Sequence, residues 1–218
     1  MNSMNEDKSA TTGYNEKDPE PVVKTLFRGN GIEAPQVMAT VTVNRYKALV
    51  LNTDKMFIAD IDKLKQPYLN DKSSSYFDTL NLNYRDLPNR GDLSFRVYRT
   101  FAGYRLLLTS EVSSGVDVSL LNHFLSDPKY VAMCQVQKCY RARLSPKPWR
   151  LGIVKPENTV NYTLPNQRVC RIVAVLGSGY IHPHLSQLVH YHDKKTRALL
   201  HQYTPSIYAS QQEEDCFI

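Results

Sequence analysis

The amino-acid sequence predicts an α+β fold: a two-layer domain with a mostly antiparallel sheet, helices on one face of that sheet, and a helical C-terminal third. Three observations support this class. Short β-branched or alternating segments recur between residues 37 and 144. Segments with helical apolar spacing occur in the C-terminal third. The composition, 42% hydrophobic and 22% charged, is that of a globular chain rather than a disordered or fibrous one.

Four regions are expected along the chain. Residues 1–36 are polar and contain several prolines and glycines. Because such a segment buries too little apolar surface to offset the entropy of ordering, we predict a largely disordered tail there. The predicted core domain spans residues 37–156, and a helical extension packed on it spans residues 157–205. A second tail covers residues 206–218.

The sequence also bears on location. The first 20 residues contain no apolar segment of the kind found in secretory signals, and no apolar run of about 18 residues occurs anywhere. None of the four cysteines stands in a Cys-x-x-Cys pair. These features predict a cytoplasmic protein with free thiols and no membrane association.

The first strands of the core are rich in β-branched side chains. Residues 38–54 predict one strand or two adjoining strands, and residues 55–61 predict the next. The Asn52-Thr53-Asp54 turn favours a hairpin between them. The polar stretch over residues 63–92 predicts a long loop that contains a short helix.

Two helices and a strand are predicted in the second half of the core. Asp117 or Ser114 can cap a helix over residues 118–127, since both side chains accept hydrogen bonds from free backbone N–H groups. Pro128 suits the first turn of a second helix. Residues 139–144 alternate again and predict a further strand.

The C-terminal third predicts a helical pair. Residues 165–176 begin with Pro165 and stop before Gly177, and residues 183–202 place their apolar side chains near one stripe. The second segment contains His190, His192 and Asp193. Residues 190 and 192 lie about 200° apart on a helix, so they do not converge on one metal ion. We expect His192 to be packed in the core and His190 to be solvated.

Positive charge is concentrated in one part of the chain. The formal net charge is +6, but residues 1–20 contain two lysines against five acidic residues, so the remaining chain carries +9. No acidic residue occurs over residues 128–156. A fold that gathers these bases on one face would attract a polyanion. The bases of this stretch are Lys129, Lys138, Arg141, Arg143, Lys147, Arg150 and Lys155.

A pair of carboxylates is the first candidate site. Asp60 and Asp62 stand two positions apart on a predicted strand, so both side chains project from the same face. Two such carboxylates can hold Mg²⁺ or Mn²⁺. The alternative is an ordinary strand end that enters a polar loop.

A basic hairpin is the second candidate. Residues 93–100 and 104–109 predict two strands joined at Gly103, for which we expect a positive φ in a tight turn. This hairpin would place Arg99 and Arg105 near each other, and guanidinium groups bind phosphate bidentately. The alternative is a basic hairpin with a solvated face.

The third candidate is the densest group of basic and aromatic residues, around the single tryptophan. Two prolines stiffen the segment, and bases beside an aromatic ring can bind a nucleic-acid backbone while the ring stacks on a base. The alternative is that the arginines pair with Asp60 or Asp62 in an ion-pair network without function. The candidate residues are Arg141, Arg143, Lys147, Trp149 and Arg150.

The segment from DID to YRTFAGYRLLLT resembles the first two motifs of archaeo-eukaryotic-type primase cores. That resemblance implies an RRM-like sheet, with Asp60 and Asp62 as the metal-binding motif and with Thr100 and Gly103 leading to the second motif. Arg105 occupies the place where that family has a histidine. The segments RARLSPKPWR and GSGYIHPHLSQLVHYHDKKTRA are similar to those of uncharacterised bacterial proteins, which implies a bacterial cytosolic protein.

Three functions follow from these features. The first is a non-catalytic protein that binds nucleic acid or nucleotide phosphate through a basic sheet face. The second is a Mg²⁺- or Mn²⁺-dependent nucleotidyl or phosphoryl transferase of primase-like type that uses Asp60 and Asp62. The third is a module that binds a protein partner through its C-terminal helices. The sequence favours the first.

Overall fold

The structure is a computed structural model that describes residues 22–28, 35–46, 48–62, 76–146 and 169–198. Within these ranges the chain forms eight strands and four helices. The strands are β1 (Val22–Arg28), β2 (Gln36–Val43), β3 (Leu49–Thr53), β4 (Ile58–Asp62), β5 (Phe95–Thr100), β6 (Gly103–Leu108), β7 (Tyr140–Arg143) and β8 (Cys170–Leu176). The helices are α1 (Tyr76–Arg85), α2 (Val118–His123), α3 (Pro128–Gln137) and α4 (Pro183–Thr196).

These strands form two four-stranded sheets in which every pairing is antiparallel. The first sheet has the order β1-β2-β3-β7, and the second has the order β4-β6-β5-β8. The predicted α+β class and antiparallel pairing are therefore confirmed. The two-layer arrangement around a single sheet is not what the structure shows, because consecutive strands β3 and β4 belong to different sheets.

The hairpin predicted at Asn52–Asp54 does not form. Strand β3 instead pairs back on β2, and Asn44 stabilises their turn by accepting hydrogen bonds from the backbone N–H groups of Tyr46 and Ala48. The Thr53 hydroxyl donates to the carbonyl of Met38 and fixes the end of β3 against β2. The chain then crosses to the second sheet, where β4 pairs with β6.

Two further segments differ from their predictions. Strand β1 lies inside the predicted disordered tail, and its sequence VVKTLFR, in which four of seven residues are apolar, pairs with β2. Residues 170–176, predicted as part of a helix, form β8 and pair with β5. The segment is rich in β-branched residues, and its hydrogen bonds come from a strand about seventy residues earlier in the chain, whose presence local periodicity does not reveal. Residues 1–21, 29–34 and 199–218 lie outside the described ranges.

Helices lie on both faces of the second sheet rather than on one. Phe95 contacts Tyr84 of α1 and Phe124 at the end of α2, with ring centroids 6.2 and 5.1 Å apart. Tyr98 stands three positions later on β5 and projects from the opposite face, where its ring packs on His192 of α4 at 4.8 Å. Helix α4 therefore buries its predicted apolar stripe against the core. The buried residues of that stripe are Leu185, Leu188, Val189, His192 and Thr196.

Tyr130 of α3 connects the two sheets. Its hydroxyl donates a hydrogen bond to the carbonyl of Ile58 on β4 at 2.8 Å and accepts one from the backbone N–H of Arg141 on β7 at 3.3 Å. Asp127, the residue that caps α3, donates its backbone N–H to the carbonyl of Asp60. The outer edge of β4, which contains the candidate carboxylates, is thus held by α3. None of the described helices has the length and apolar character needed to span a bilayer.

Candidate functional site

Arg105 occupies the centre of the most polar part of the interior. Its strand, β6, lies between β4 and β5, and the register places Arg105 directly between Asp60 and Tyr98. The Arg105 side chain is only 6% exposed. A buried cation needs hydrogen-bond partners and a counter-charge, because desolvation strongly disfavours an isolated charge.

The partners of the Arg105 guanidinium are unevenly distributed. Its Nη1 atom donates to the carbonyl of Arg143 at 3.0 Å and to Nε2 of His192 at 3.3 Å. Its Nη2 atom is 3.7 Å from Oδ1 of Asp60, which is close enough for an ion pair but too long for a hydrogen bond. Within the described part of the chain, the buried Nε atom has no hydrogen-bond partner. One edge of the guanidinium is therefore fixed, while the Nε–Nη2 edge is not hydrogen-bonded.

His192 and Asp193, both on helix α4, hold the Arg105 guanidinium in position. A guanidinium only donates, so Nε2 of His192 must accept and its Nδ1 carries the proton. That proton is donated to Oδ1 of Asp193 at 3.1 Å. Burial, opposed by this hydrogen bond and reinforced by the nearby Arg105 charge, lowers the pKa of His192. A neutral imidazole thus orients the guanidinium.

Asp193 is itself held by strand β5. The Tyr98 hydroxyl donates to its Oδ1 atom at 2.7 Å, and Arg96 forms an ion pair with its Oδ2 atom. Burial, together with the adjacent Asp193 charge, raises the pKa of Tyr98 well above its ordinary value, so the phenol remains a donor. We call these six side chains the Arg105 network: Asp60, Arg96, Tyr98, Arg105, His192 and Asp193.

The Asp60 carboxylate is the solvent-facing end of the Arg105 network. It is 39% exposed, and among the described residues it accepts no hydrogen bond. Asp62 lies two positions further along β4, opposite Gly103. Across the described ranges no third His, Cys, Asp or Glu side chain joins them in a metal-binding group. The two aspartates therefore offer a partial ligand set for a divalent cation.

The hairpin does not bring Arg99 and Arg105 together. The register pairs Arg99 with Tyr104 and Tyr98 with Arg105, so the two arginines occupy odd and even positions and project from opposite faces of the sheet. Gly103 also differs from its prediction, because its φ is not positive. A Cβ atom at that position would lie 1.8 Å from the carbonyl oxygen of Ile61, so the glycine permits close approach of two backbones.

Arg99 lies on a basic row at the other face. Its guanidinium carbon is 5.1 Å from the centroid of the Tyr104 ring, and its Nη1 atom donates to the Tyr104 hydroxyl at 3.0 Å. Arg171 of β8 is directly opposite Arg99 across the strands. In the described part of the chain, no carboxylate pairs with Arg99.

The remaining predicted bases occupy a third location or lie outside the described residues. Arg141 is buried, and its Nη1 atom contacts Oε1 of Gln137 at 3.0 Å and Sδ of Met133 at 3.6 Å. In the predicted alternative the arginines pair with Asp60 or Asp62; Asp60 pairs with Arg105 rather than with Arg141 or Arg143, and the pairing of Asp62 stays a prediction. The described candidates therefore do not form one exposed basic face. Lys147, Trp149 and Arg150 lie outside the described residues.

Sequence reasoning identified Asp60, Arg105 and the burial of His192, but it identified neither Arg96 and Tyr98 nor the contacts that join the network. His192 is fully buried and His190 is exposed, as predicted. Hydrogen bonds connect Asp193 through His192 to Arg105 and so join α4 to β6. No pattern in the neighbouring sequence indicates this connection. A polar residue within an apolar helical stripe was the available signal, and it identified the burial of His192 but not its partner. Comparison with protein-family models, curated proteins and solved structures finds no match to this chain.

Proposed function

We propose that the protein binds the phosphate groups of a nucleotide where Asp60 and Arg105 face each other, without catalysing a reaction. The supporting observation is the orientation of Arg105, whose Nη1 atom is fixed by two acceptors while the Nε–Nη2 edge makes no hydrogen bond. The Nε atom of that edge is buried, so we expect a phosphate oxygen to contact Nη2, the atom that faces the partly exposed Asp60 carboxylate.

The charges favour a nucleotide that arrives with a divalent cation. A bare phosphate would meet the Asp60 carboxylate, which is 3.7 Å from the guanidinium and is the more exposed of the two groups. Mg²⁺ or Mn²⁺ bound between Asp60 and phosphate oxygens would replace that repulsion with attraction, since Mg²⁺ commonly uses one or two carboxylates together with substrate phosphates. Arg105 would then neutralise phosphate charge from the protein side.

Binding of a fluorescent nucleoside triphosphate tests this proposal, measured with Mg²⁺, with Mn²⁺ and with a chelator. We expect metal-dependent binding that Asp60→Asn weakens by about tenfold, the size of one lost charge-assisted interaction. Arg105→Lys keeps the charge but removes the planar guanidinium, so it should weaken the metal-dependent binding. Asp54→Asn is the matched control, because Asp54 is a half-exposed carboxylate that pairs with Lys55 outside the site.

The proposal fails if the wild-type protein binds no triphosphate at millimolar concentration. It also fails if Asp54→Asn weakens binding as much as Asp60→Asn does. Far-UV circular dichroism and thermal unfolding of each variant separate loss of the site from loss of the fold.

A second candidate function is a Mg²⁺- or Mn²⁺-dependent nucleotidyl or phosphoryl transferase of primase-like type. The observation that favours it is the Asp60 carboxylate, which accepts no hydrogen bond among the described residues and faces solvent beside Asp62. In that case the two aspartates would hold the metal, and Arg105 would bind the transferred phosphate group. The metal would supply charge stabilisation at the reacting phosphorus.

Incubation of the protein with labelled triphosphate and an oligonucleotide primer distinguishes the two functions. A transferase gives metal-dependent extension or phosphorylated product that Asp60→Asn abolishes while nucleotide binding is only weakened. A binding protein retains the triphosphate unchanged. Product formation that persists in Asp60→Asn would eliminate the second candidate.

A further inference from the structure

Strand β1 and helix α4 meet along a contact that their side chains define at two points. Nη1 of Arg28 donates to Nδ1 of His184 at 2.9 Å, and Nζ of Lys24 lies 5.0 Å from the centroid of the Tyr191 ring. The four steps from 24 to 28 span about 13 Å of strand, and the seven from 184 to 191 span about 10 Å of helix. The two elements therefore run alongside each other in opposite directions. We call this contact the β1–α4 seam, and its side chains are Lys24, Arg28, His184, Tyr191 and Lys195.

Neutral groups hold the cations of the β1–α4 seam in place. Nζ of Lys195 lies 5.9 Å from the same Tyr191 ring that Lys24 contacts, so one aromatic ring orients two ammonium groups. A guanidinium only donates, so Nδ1 of His184 accepts the bond from Arg28 as a neutral imidazole nitrogen. These contacts order the three cations without neutralising their charge.

Carboxylates do not supply that neutralisation. Strand β1 contains no acidic residue. Helix α4 contains one, Asp193, which forms an ion pair with Arg96 in the interior. Within the described ranges, none of the three cations of the seam pairs with a carboxylate. The seam is therefore a surface of positive charge that an external anion can approach.

An exposed aromatic side chain continues the seam beyond the first turn of α4. Tyr180 is 51% exposed, and its ring contacts His182, whose ring in turn contacts His184 at 4.6 Å between centroids. The backbone of Tyr180 is held on both sides, because its carbonyl accepts from the Thr109 hydroxyl and its N–H donates to the Ser178 hydroxyl. A half-exposed ring on an ordered segment provides a flat surface on which an unpaired base can stack.

We propose that the β1–α4 seam and the Tyr180 ring beside it bind single-stranded nucleic acid. The three cations contact backbone phosphates, and the ring stacks on a base. Together they are the two components with which proteins bind a single strand, whereas the bases of a duplex are already stacked on each other. Phosphate contacts carry no sequence information and every base has a flat face, so this binding is independent of base sequence.

Fluorescence anisotropy of a labelled short oligothymidylate tests the proposal across a range of salt concentrations. Lys24→Gln should weaken binding about fivefold at about 50 mM salt and reduce the slope of log affinity against log salt by about 0.7, the value for one lost phosphate contact on a single strand. Lys129→Gln is the matched control, because Lys129 is an exposed lysine next to the Tyr130 that contacts β4 and β7. This control should leave both quantities near the wild-type values.

Two further variants test stacking apart from charge. Tyr180→Ala should weaken binding several-fold without changing the salt slope, since it removes a ring and no cation. Tyr180→Phe keeps the ring and should bind as the wild type does. Thermal unfolding of each variant shows whether a loss of binding reflects a loss of the fold.

Three results would overturn the proposal. Equal losses in Lys24→Gln and Lys129→Gln would indicate attraction by net charge alone. A Tyr180→Ala protein with wild-type affinity, or a duplex that binds as tightly as the single strand, would show that no base stacks on the ring. Polyglutamate that displaces the oligonucleotide at equal charge concentration would identify a general anion surface instead.

The same variants keep this proposal separate from the nucleotide site. No residue of the β1–α4 seam belongs to the Arg105 network, so Lys24→Gln should leave triphosphate binding unchanged and Asp60→Asn should leave oligonucleotide binding unchanged. A protein that binds the oligonucleotide through Lys24 but binds no triphosphate would support the seam and refute the nucleotide site. The reverse pattern would do the opposite.

Discussion

His192 accepts a hydrogen bond from Arg105 at 3.3 Å through its Nε2 atom, between helix α4 and the second sheet. The bond requires a neutral imidazole, because a protonated ring would place a second positive charge against the guanidinium. Asp193 on the other side of the ring and Arg96 beyond it complete the charged surroundings of His192. The stability of the fold should therefore depend on the protonation of this histidine.

The first prediction concerns pH. Burial lowers the pKa of His192 from its ordinary value of 6.5, so the unfolded chain binds this proton more readily than the native protein does. The contribution of His192 to stability is complete above about pH 6.5 and is lost as the pH falls below that value. We expect the free energy of unfolding to decrease on acidification by up to about 1.4 kcal/mol per pH unit from this group.

Replacement of the imidazole by an amide provides the control. His192→Gln keeps an oxygen that can accept from Arg105 but cannot titrate, so urea unfolding between pH 7.5 and 5.5 should show a smaller loss of stability than in the wild type. His190→Gln, on the exposed side of α4, should leave the wild-type pH dependence in place. An unchanged pH dependence in His192→Gln would show that the titration belongs to another group.

The sequence predicted elements where the local pattern determines them. Asp117, one of the two residues expected to cap the first helix, caps α2, and α3 begins at Pro128 as predicted. Strand β8 was assigned incorrectly, because a short apolar run bounded by proline and glycine fits a strand or a helix equally well by periodicity. The pairing of β8 with β5 decides between them, and a partner so distant in sequence leaves no local sign.

In the candidate site, too, some features are determined by the local sequence and others by tertiary packing. The spacing of Asp60 and Asp62 correctly indicated a strand, since alternation is a local property. The relation between Arg99 and Arg105 depends on hairpin register, and a shift of one residue exchanges the two faces. The partner of Arg105 on α4 depends on tertiary packing alone. A search for adjacent arginines in sequence could not distinguish two faces of one sheet.

The second prediction concerns Gly103. A Cβ atom there would overlap the carbonyl oxygen of Ile61 at 1.8 Å, and both atoms belong to backbone paired in one sheet. Gly103→Ala should therefore lower the free energy of unfolding by about 3 kcal/mol, the upper range for overpacking. Gly91→Ala is the matched control, because a Cβ at Gly91 would meet no atom within 4 Å. Equal urea midpoints for the two variants would contradict the steric explanation.

The third prediction compares two ion pairs. Asp193 pairs with Arg96 where the side chains are 16% and 17% exposed, and it also accepts from Tyr98. Asp193→Asn should cost about 3 kcal/mol, because it leaves a largely buried cation without its counter-charge. Asp54→Asn removes the partner of Lys55 at an exposed site and should cost less than about 1 kcal/mol. Urea denaturation at neutral pH measures the loss in the free energy of unfolding for each variant. Similar losses in the two variants would mean that burial does not determine the strength of the Arg96–Asp193 pair.

The fourth prediction concerns the connection between the sheets. Burial raises the pKa of Tyr130 well above its ordinary value, so its hydroxyl stays protonated and continues to donate to the carbonyl of Ile58. Tyr130→Phe would leave that carbonyl and the N–H of Arg141 without this partner between β4 and β7. A loss of about 2 kcal/mol is expected from the unsatisfied groups.

Tyr84 provides the comparison for this last variant. Its hydroxyl lies 2.7 Å from the exposed carbonyl of Arg90 and 3.2 Å from the part-buried carbonyl of Leu93. Water can replace it at the first, so Tyr84→Phe should cost less than Tyr130→Phe. Because Tyr130 supports the edge of β4 that contains Asp60, Tyr130→Phe should also weaken metal-dependent triphosphate binding, whereas Tyr84→Phe should not. Full triphosphate affinity in a folded Tyr130→Phe protein would show that β4 keeps its position without the hydroxyl.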